Sequence, residues 1–539
     1  MRKVILLLAI VGFLGVSFVL ASDEVNEGKS IFEQKCDKCH PLDRSLKKSK
    51  NAEAWKRTVE RMSKKVEGII SVEDVEKISE YLAGREAKKQ ESTQDKNEEA
   101  QESVDKNEGE YSSQFNKVRV DQFISPETCG DCHEEIYKQW KGSMHSKAFV
   151  DPVWRAATKL FYTEVTTKGQ ILEMKSCVQC HTPLGFRSYL IQSPKEDYNK
   201  LAALPAQGIF CNWCHNINEA KHIGDAGYDV GAGGGEDDPS VMLGPRSDAN
   251  SDFHPTKYSE LFTKAEFCGL CHNVSHVGNK LPIEQTFTEW AGSPYNSGDP
   301  KTTVVCQDCH MRQKLGIPST GKTARPDNPG KSANDGPQRD HIWTHYFVGG
   351  NSVVPKILGS DIHSTMAIER LTNAADLEII RNGDYKKGGL GKVNVKVINS
   401  GAGHYIPTGL TEVREVWLDV KITDKDGNVL LHSGKLDPNG EIEKNSIIFN
   451  TVLGNEKSDH VINVALADRI ISDHRIPPKG YQLEEYSFII PQETLSPLKV
   501  DVVLKYRSAS PKLVKILMKD NAVEIPVIDM VSLSEKIDF

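Results

Sequence analysis

The chain has 539 residues, with 67 Lys and Arg against 75 Asp and Glu, a formal net charge of -8 and 38% hydrophobic residues. At about 150 residues per domain, this length predicts three or four domains. The acidic balance gives no indication of nucleic-acid binding. A mean hydropathy of -0.45, with one long apolar stretch at the N-terminus, excludes a polytopic membrane protein.

Residues 1–21 have the pattern of a secretory signal peptide. Arg2 and Lys3 precede an apolar run over residues 4–20, and Ala21 closes the run with the small residue that cleavage sites favour. An uncleaved anchor is the alternative, because the run is long enough to span a bilayer. We expect cleavage, no transmembrane segment afterwards, and a location in the periplasm or on the outer cell surface.

All twelve cysteines fall into six C-x-x-C pairs, and a histidine follows each pair directly. This spacing lets two thiols meet the two vinyl groups of one porphyrin, while the next imidazole reaches the iron as proximal ligand. Disulfides, redox dithiols and zinc are the alternatives, but none of them needs a histidine after every pair. We expect six covalently bound haem c groups, held by Cys36, Cys39 and His40; Cys129, Cys132 and His133; Cys177, Cys180 and His181; Cys211, Cys214 and His215; Cys268, Cys271 and His272; and Cys306, Cys309 and His310.

Haem changes the expected charge of the mature protein. Loss of Arg2 and Lys3 moves the formal charge from -8 to -10. Each ferric haem adds two propionates and one net positive charge, so six haems contribute about -6 and bring the mature protein to about -16. We expect redox partner proteins that dock through basic patches, with an association that weakens in salt.

Residues 22–84 are predicted to form a small α-helical domain with one haem. Val75, Ile78 and Leu82 have helical spacing, and Ser71 with Asp74 gives a cap for that helix. Met62 is the candidate second axial ligand, because the region has no histidine besides that of its haem motif. A core role for this methionine is the alternative.

This segment resembles a small class I cytochrome c at Gly28, Phe32, the haem motif, Met62 and the closing Tyr81-Leu82. The resemblance implies His/Met ligation, which raises the reduction potential above that of a bis-histidine haem. Residues 85–118 follow as a charged, flexible linker that tethers the domain at high effective concentration. A spacer without mechanistic role is the alternative for the linker.

Residues 119–390 carry the other five motifs and are predicted to form a mainly α domain. Because the motifs are so densely spaced, we expect the porphyrins themselves to form most of its core. The run from Cys129 to Ala148, with Trp140, Ser143 and His145, resembles the opening of a multihaem cytochrome superfamily. That superfamily includes the tetrahaem cytochrome and the hydroxylamine oxidoreductase of ammonia oxidisers. Other stretches up to about residue 407 resemble multihaem cytochromes of metal-reducing and related anaerobic bacteria.

The resemblance implies that His145 ligates a haem other than the one bound by the preceding motif, Cys129 to His133. Three further histidines lie in sequence segments that resemble those of distal ligands in related cytochromes: His254, His345 and His404. His276 follows His272 by about one helical turn, which predicts ligation of a neighbouring haem rather than the same one. Surface or hydrogen-bonded imidazoles are the alternative for each, and three further histidines stay open as candidates: His222, His341 and His363.

Residues 391–539 are predicted to form an all-β, sandwich-like domain. Val393, Val395 and Val397 alternate, as do residues 416–422, 486–490 and 500–506, with an Asp426-Gly427 turn. The region has no cysteine and therefore no haem. We expect its histidines to face solvent: His432, His460 and His474. Capping the haems, docking a partner and self-association are its alternative roles.

Three functions fit this pattern. The first is an exported hexahaem conductor that carries electrons between redox partners in anaerobic or extracellular respiration. The second is a reductase or oxidase of a small nitrogen or sulfur compound at one five-coordinate haem. The third is the subunit of an extracellular cytochrome filament. The electron carrier is the preferred interpretation, since eleven histidines remain to ligate the six irons.

Overall fold

The computed structural model describes residues 27–38, 42–46, 52–63, 69–85, 111–236 and 238–539. The chain divides into two compact units, residues 1–105 and residues 106–539. In the described ranges, no helix combines the length and the apolar character needed to cross a bilayer. The predicted signal peptide, most of the predicted linker, and Cys39 and His40 lie outside the described residues.

The first unit is helical. Residues 27–36 and 72–85 are helical, and two further helices span Asp43–Leu46 and Ala52–Ser63. Its core is built by six buried side chains, namely Phe32, Trp55, Val59, Val75, Ile78 and Leu82. The predicted cap is confirmed, because Asp74 N donates to Ser71 Oγ at 3.1 Å and Ser71 N donates to Asp74 Oδ2 at 2.6 Å.

A glycine sets the approach of two helical segments in this unit. A Cβ on Gly28 would lie 2.3 Å from the backbone oxygen of Lys77, so a larger residue would push the segments apart. Phe32 and Tyr81 pack beside this contact with ring centroids 5.7 Å apart. The resemblance to a class I cytochrome c stays a prediction.

The linker is shorter than the sequence predicted. Tyr111 and Val118 are buried, and the Tyr111 hydroxyl donates to Gln179 Oε1 at 2.6 Å. Phe115 packs edge-on against Tyr111. These aromatic and apolar side chains give residues 111–118 enough surface to bury, so this stretch belongs to the second unit.

The haem-motif region of the second unit consists of short helices. The N-terminal ends of two of these helices are fixed by capping side chains: Asp151 accepts from Val153 N and Trp154 N, and Thr167 forms a capping box with Gln170. The helices span Pro126–Gly130, Glu134–Lys141, Met144–Lys147, Pro152–Tyr162, Lys168–His181, Pro183–Arg187, Cys211–Cys214, Glu266–Gly269, Thr286–Ala291, Cys306–His310, Val353–Ile357 and Asp361–Leu371. Short 3-10 turns lie at Val120–Gln122, Tyr198–Lys200, Pro205–Gln207 and Glu260–Thr263.

Three two-stranded ribbons interrupt these helices. β1 (Ile217–Ala220) pairs with β2 (Tyr228–Val230), and β3 (Met242–Gly244) pairs in parallel with β4 (Thr256–Tyr258). β5 (Val274–Ser275) and β6 (Pro282–Glu284) form an antiparallel ribbon directly after the fifth motif of the chain. This last ribbon carries Glu284 back toward His272.

The C-terminal part of the second unit is β-rich. Its strands are β7 (Asp376–Asn382), β8 (Leu390–Ile398), β9 (Glu415–Thr423), β10 (Val429–Ser433), β11 (Ile448–Phe449), β12 (Thr451–Gly454), β13 (His460–Val461), β14 (Arg469–Asp473), β15 (Tyr481–Ile489), β16 (Leu498–Arg507) and β17 (Ile528–Ile537). A helix at Pro511–Met518 and 3-10 turns at Val464–Leu466 and Lys519–Asn521 complete it.

The predicted antiparallel pairing is confirmed. β9 and β16 form the centre of a five-stranded sheet with the order β10-β9-β16-β17, to which β11 adds beside β9. A three-stranded sheet has the order β15-β8-β7, and another has the order β13-β12-β14. Inward-facing residues of the first two sheets, such as Val395 and Val502, share one hydrophobic core.

The boundary of the β-rich region differs from the sequence prediction. Strand β7 begins at Asp376, before residue 391, and pairs with β8 from Asp376↔Ile398 to Asn382↔Lys392. The haem-motif region and the β-rich region also form one compact unit rather than two. The helix Pro511–Met518 contributes to this union, since it packs against Pro152–Tyr162.

Candidate haem-binding site

One cavity of about 1670 Å³ runs through the second unit, and its walls are predominantly apolar. Both cysteines and the histidine of every motif in this unit line it. The eleven cysteines that the structure describes are all free thiols, as thioether formation requires. The residues present therefore fit five haem c groups in one shared interior. We name each site after its first cysteine, from the Cys129 site to the Cys306 site.

The proximal histidines are oriented by hydrogen bonds from their Nδ1 atoms. In four of the five sites Nδ1 lies at hydrogen-bond distance from a backbone oxygen. Such a bond fixes the ring and leaves Nε2 for the iron. The pairs are His133 with Ser332 at 2.6 Å, His181 with Ala148 at 2.7 Å, His215 with Leu243 at 2.6 Å, and His310 with Val348 at 2.9 Å.

His272 differs from the other proximal histidines. Its Nδ1 lies 3.3 Å from the carboxylate oxygen Oε1 of Glu284. Burial lowers the pKa of His272, but the hydrogen bond and charge of Glu284 outweigh it, so that the pKa is raised overall. The Cys268 site therefore has an acceptor stronger than a backbone oxygen.

Two of the expected distal histidines face a proximal histidine across the cavity. Because a transition metal binds an imidazole nitrogen at about 2 Å, and a ring centroid lies about 1 Å behind that nitrogen, two imidazoles sharing one iron have centroids about 6 Å apart. The ring centroids of His145 and His272 are 6.1 Å apart, and those of His133 and His254 are 6.4 Å apart. Both pairs have the spacing of axial ligands.

Two further pairs follow from electrostatic proximity. Burial and then the neighbouring His215 lower the pKa of His345 to about 3. Burial, Arg370 and then His404 lower the pKa of His310 well below its ordinary value. His345 and His404 both line the cavity. We therefore expect His345 to serve the Cys211 site and His404 to serve the Cys306 site, and both stay predictions.

Burial keeps these distal imidazoles neutral at physiological pH. It lowers the pKa of His145 to about 3, and it lowers the pKa of His254 and of His404 below the ordinary value. A metal binds the neutral imidazole, because the ligating nitrogen needs its lone pair. Their Nδ1 atoms are also held locally: those of His345 and His404 lie 2.9 Å from backbone oxygens of Trp343 and Tyr405.

The structure records no ring contact between His276 and any proximal histidine that it describes, and instead places His276 among backbone groups. Its Nε2 lies 3.2 Å from the backbone oxygen of Ala465, and its Nδ1 accepts from Gly278 N and Asn279 N. With both ring nitrogens occupied by backbone groups, His276 has none left for an iron. The expectation that it ligates a neighbouring haem does not fit this position.

The remaining histidines also lie elsewhere. His363 is bound on both nitrogens, by Ser360 Oγ at 2.6 Å and Gln139 O at 2.8 Å. His341 accepts from Asn328 N, and His222 is exposed. In the β-rich region His460 is exposed as predicted, whereas His432 and His474 are partly exposed and pair with Asp419 and Glu484.

In the part of the chain that the structure describes, no second histidine faces His181. Its ring instead stacks on Trp154, with centroids 4.3 Å apart and planes at 8°. Burial lowers the pKa of His181 to about 4. The Cys177 site therefore lacks the paired imidazoles of the other four sites in this unit.

Contacts between cysteines of different motifs show which sites are neighbours. The thiols of Cys129 and Cys211 are in hydrogen-bond contact, as are those of Cys268 and Cys306. Cys271 lies within electrostatic reach of Cys180 and of Cys214. The sites therefore follow one another as Cys129, Cys211, Cys268 and Cys306, and the Cys177 site joins at the Cys268 site.

In the first unit the structure describes Cys36 at the end of helical residues 27–36 and Met62, partly buried, on the helix Ala52–Ser63. Because Cys39 and His40 lie outside the described residues, ligation by Met62 stays a prediction.

Sequence reasoning missed three side chains around the sites. Glu284 lies in the stretch LPIEQTF, Trp154 follows a helix cap, and Arg370 lies on the helix Asp361–Leu371. A lone charged or aromatic residue in a short helix carries no sequence signal for its neighbour across the fold. Their roles depend on contacts between segments far apart in the chain.

Comparisons with known proteins agree with this geometry. Residues 128–216, which hold three motifs, match the family Cytochrome c554 and c-prime. The fold is similar to that of a penta-heme cytochrome c552 from Thermochromatium tepidum, with a TM-score of 0.51 and 20% identity over 77% of this chain and 99% of that chain. A CARDB domain of the PF1109 protein from Pyrococcus furiosus matches with a TM-score of 0.14 and 10% identity over 30% of this chain and 85% of that chain, which carries no argument. No curated protein sequence matches the chain.

These findings support the predicted class, a multihaem c-type cytochrome. The structural likeness concerns the fold, and the family match concerns the first three motifs of the second unit.

Proposed function

We propose that this protein is an exported hexahaem c-type cytochrome that carries electrons along closely packed haems between redox partners in anaerobic or extracellular respiration. The observation that carries the proposal is the spacing of two facing histidine pairs, His145–His272 at 6.1 Å and His133–His254 at 6.4 Å. His345 and His404 are the expected distal ligands of two further sites. A haem iron with two axial imidazoles takes up and releases one electron without offering a free coordination position.

The side chains between the sites support transfer inside one molecule. The Cys129–Cys211 and Cys268–Cys306 thiol contacts join neighbouring sites at their thioether edges. Apolar walls such as Phe210 and Trp213, both nearly fully buried, hold these edges in fixed positions. A close-packed interior changes little in shape when one electron is added.

The proposal extends to the first unit and to the partners. The Cys36 motif supplies the sixth haem, Met62 is its second axial ligand, and the signal peptide directs export before haem attachment. Because His/Met ligation raises the potential, this haem fills first on reduction. The formal net charge of -8, made more negative by the haem propionates, favours partners with basic docking patches.

The test is a single-electron pulse experiment on the full-length holoprotein, after intact mass has established six haems per chain. A laser pulse delivers less than one electron per molecule, and absorbance then follows its redistribution. Redistribution at a rate independent of protein concentration supports the proposal. A rate proportional to concentration contradicts it, because electrons would then move between molecules.

A second function is favoured by the Cys177 site. His181 has no histidine opposite it among the described residues, and the cavity wall also contains Arg414, within electrostatic reach of Asp151 and Glu412. A haem iron with an open side would suit a small anion such as nitrite or sulfite, and the guanidinium group in the wall of the same cavity would supply positive charge. Optical titration of the oxidised protein with nitrite tests this function: one equivalent bound per chain, weakened in Arg414→Gln, supports it, and no spectral change eliminates it.

A further inference from the structure

Two neighbouring sites have partly buried charged side chains of opposite sign beside their proximal ligands. At the Cys268 site, Glu284 accepts from His272 Nδ1, and Thr286 Oγ1 donates to the same carboxylate oxygen at 3.0 Å. The Glu284 side chain is 17% exposed. Among the described residues, no Lys or Arg lies within ion-pair distance of it, so its negative charge is not compensated.

At the Cys306 site the charge is positive. Arg370 Nη2 donates to the backbone oxygen of Cys309 at 2.7 Å, and its Nε and Nη2 donate to Gln313 Oε1 at 3.0 and 2.7 Å. Gln313 is fully buried. In the part of the chain that the structure describes, no carboxylate lies within ion-pair distance of Arg370, which lines the haem cavity.

The position of Arg370 separates it from the porphyrin's own carboxylates. Its contact is with Cys309, a thioether residue, and in haem c the thioethers and the propionates lie at opposite edges of the ring. The guanidinium charge therefore acts on the thioether edge and the proximal ligand. The guanidinium also lies within electrostatic reach of His310, where burial and then this positive charge lower the pKa of the imidazole.

The two charges have opposite effects on an iron. A carboxylate that accepts from a proximal imidazole makes the imidazole a stronger donor and favours the ferric state, which lowers the potential. A guanidinium group in a low-dielectric interior favours the ferrous state, which carries one positive charge less, and so raises the potential. Glu284 and Arg370 therefore act on adjacent irons in opposite directions.

We propose that Glu284 and Arg370 bias electron transfer across the Cys268–Cys306 contact toward the β-rich end of the second unit. With haem bound at both sites, one electron would pass from the ferrous iron held by His272, leaving it ferric, to the ferric iron held by His310. No bond forms or breaks, and the donor is the redox partner already invoked. This inference rests on the proposed electron-carrier function.

The Cys268 site is also the junction of the unit, which makes its potential important for every route. Cys271 lies within electrostatic reach of both Cys180 and Cys214, and Cys268 contacts Cys306. The charge of Glu284 additionally reaches His181 and His404. A low reduction potential at the Cys268 site disfavours the reduced state of its haem, so that an electron arriving there transfers to the Cys306 site.

The test is a redox titration of the full-length holoprotein followed by electron paramagnetic resonance. His145→Ala is expected to add a high-spin signal from the Cys268 site to that of the Cys177 site, and His404→Ala to add one from the Cys306 site. Each midpoint is then obtained from the difference between the variant and the wild-type protein. Glu284→Gln, added to the first variant, is expected to raise its midpoint. Arg370→Gln, added to the second, is expected to lower its midpoint, and Arg370→Lys is expected to restore it.

Matched controls remove the same charges at the surface. Glu260→Gln and Arg381→Gln both change exposed side chains of the second unit. Midpoints that move no further than in these controls, or that move in the same direction in both variants, overturn the inference. If a ligand variant fails to fold, Glu284→Gln and Arg370→Gln alone are titrated optically, and opposite shifts of one midpoint each are required.

The result is distinguishable from failure of the proposed function. Intact mass reporting fewer than six haems, or redistribution that depends on concentration, contradicts the electron-carrier proposal. Six haems, rapid internal redistribution and unchanged midpoints overturn the bias alone. The variant Glu284→Asp distinguishes the effect of the charge from that of the hydrogen bond, because it keeps the charge but shortens the side chain by one methylene.

Discussion

The Nε2 atom of His276 lies 3.2 Å from the backbone oxygen of Ala465, and this contact joins the haem-motif region to the β-rich region. Asn279 adds a second bond across the same junction, from Nδ2 to Ala467 O at 2.8 Å. His276 is 2% exposed, so its hydrogen bonds are protected from water. The residue therefore has a structural role in this fold.

Replacing His276 should destabilise the protein without changing its haem spectrum. His276→Ala leaves the oxygen of Ala465 unpaired in a buried position, which costs about 1–3 kcal/mol. Guanidinium unfolding followed by circular dichroism measures the loss, and His460→Ala, an exposed histidine, serves as control. A new high-spin signal in His276→Ala would contradict the structural role and restore the ligand prediction.

His254 should behave in the opposite way. Its ring faces His133 at 6.4 Å, so His254→Ala removes one axial ligand and converts one haem to the high-spin state. The exposed His222 is the matched control, and His222→Ala should leave the spectrum unchanged. Electron paramagnetic resonance of the oxidised variants decides; an unchanged low-spin count in His254→Ala would refute the pairing.

Glu289 should anchor the loop that carries His404. Its carboxylate accepts from Tyr405 N at 3.1 Å and Thr408 Oγ1 at 2.7 Å, and it forms a buried ion pair with Arg475. Because Arg475 keeps Asp473 as partner, we expect Glu289→Ala to cost about 3 kcal/mol, the lower end for a broken buried pair.

The same variant should weaken ligation at the Cys306 site, which a high-spin signal would report. Glu378→Ala, which breaks the exposed pair with Lys396, is the control and should cost less than about 1 kcal/mol. Equal losses of stability in the two variants would show that the Glu289 network does not support the loop.

Stability should fall as the pH rises through the titration of Glu412. Burial raises the pKa of this carboxyl from 4.5 to about 7, partly offset by Arg414. The folded state therefore binds more protons than the unfolded state between these values. The stability present below pH 4.5 is lost by pH 7, amounting to up to ~3 kcal/mol.

Glu412→Gln should reduce this dependence by the share of Glu412, because the amide stays neutral, while the remainder comes from Glu173, whose pKa burial also raises to about 7. Chemical unfolding at pH 5 and pH 8 measures the effect, and Glu456→Gln, at an exposed glutamate, should keep the wild-type difference. The same loss of stability at pH 8 in Glu412→Gln as in the wild type would exclude Glu412 as the cause.

The chemistry of the sites could be predicted from local spacing, whereas their pairing could not. Each C-x-x-C-H motif is complete within five residues, so cysteines and proximal histidine could be named from the sequence. His145 could be predicted as a ligand of a different haem, but not as the partner of His272. Which of two distant segments meet is decided by packing of the whole unit, to which short helices such as Met144–Lys147 contribute little individually.

The β-rich region illustrates the same limit. Alternation predicted β8, β9, β15 and β16 because most of their buried positions are Val, Leu, Ile or aromatic. β7 has the sequence DLEIIRN, and its polar residues obscure the period of two, so its start at Asp376 was missed. His276 shows a further limit: spacing alone cannot show that a backbone oxygen from another region occupies Nε2.

The most direct test of this account is a quantitative electron paramagnetic resonance spectrum of the oxidised holoprotein, with haem content fixed by intact mass. We expect six haems: four low-spin with paired histidines, one low-spin at the Cys36 motif with His/Met ligation, and one high-spin at His181. A high-spin signal from two or more haems, or none from any, would contradict the assignment of axial ligands.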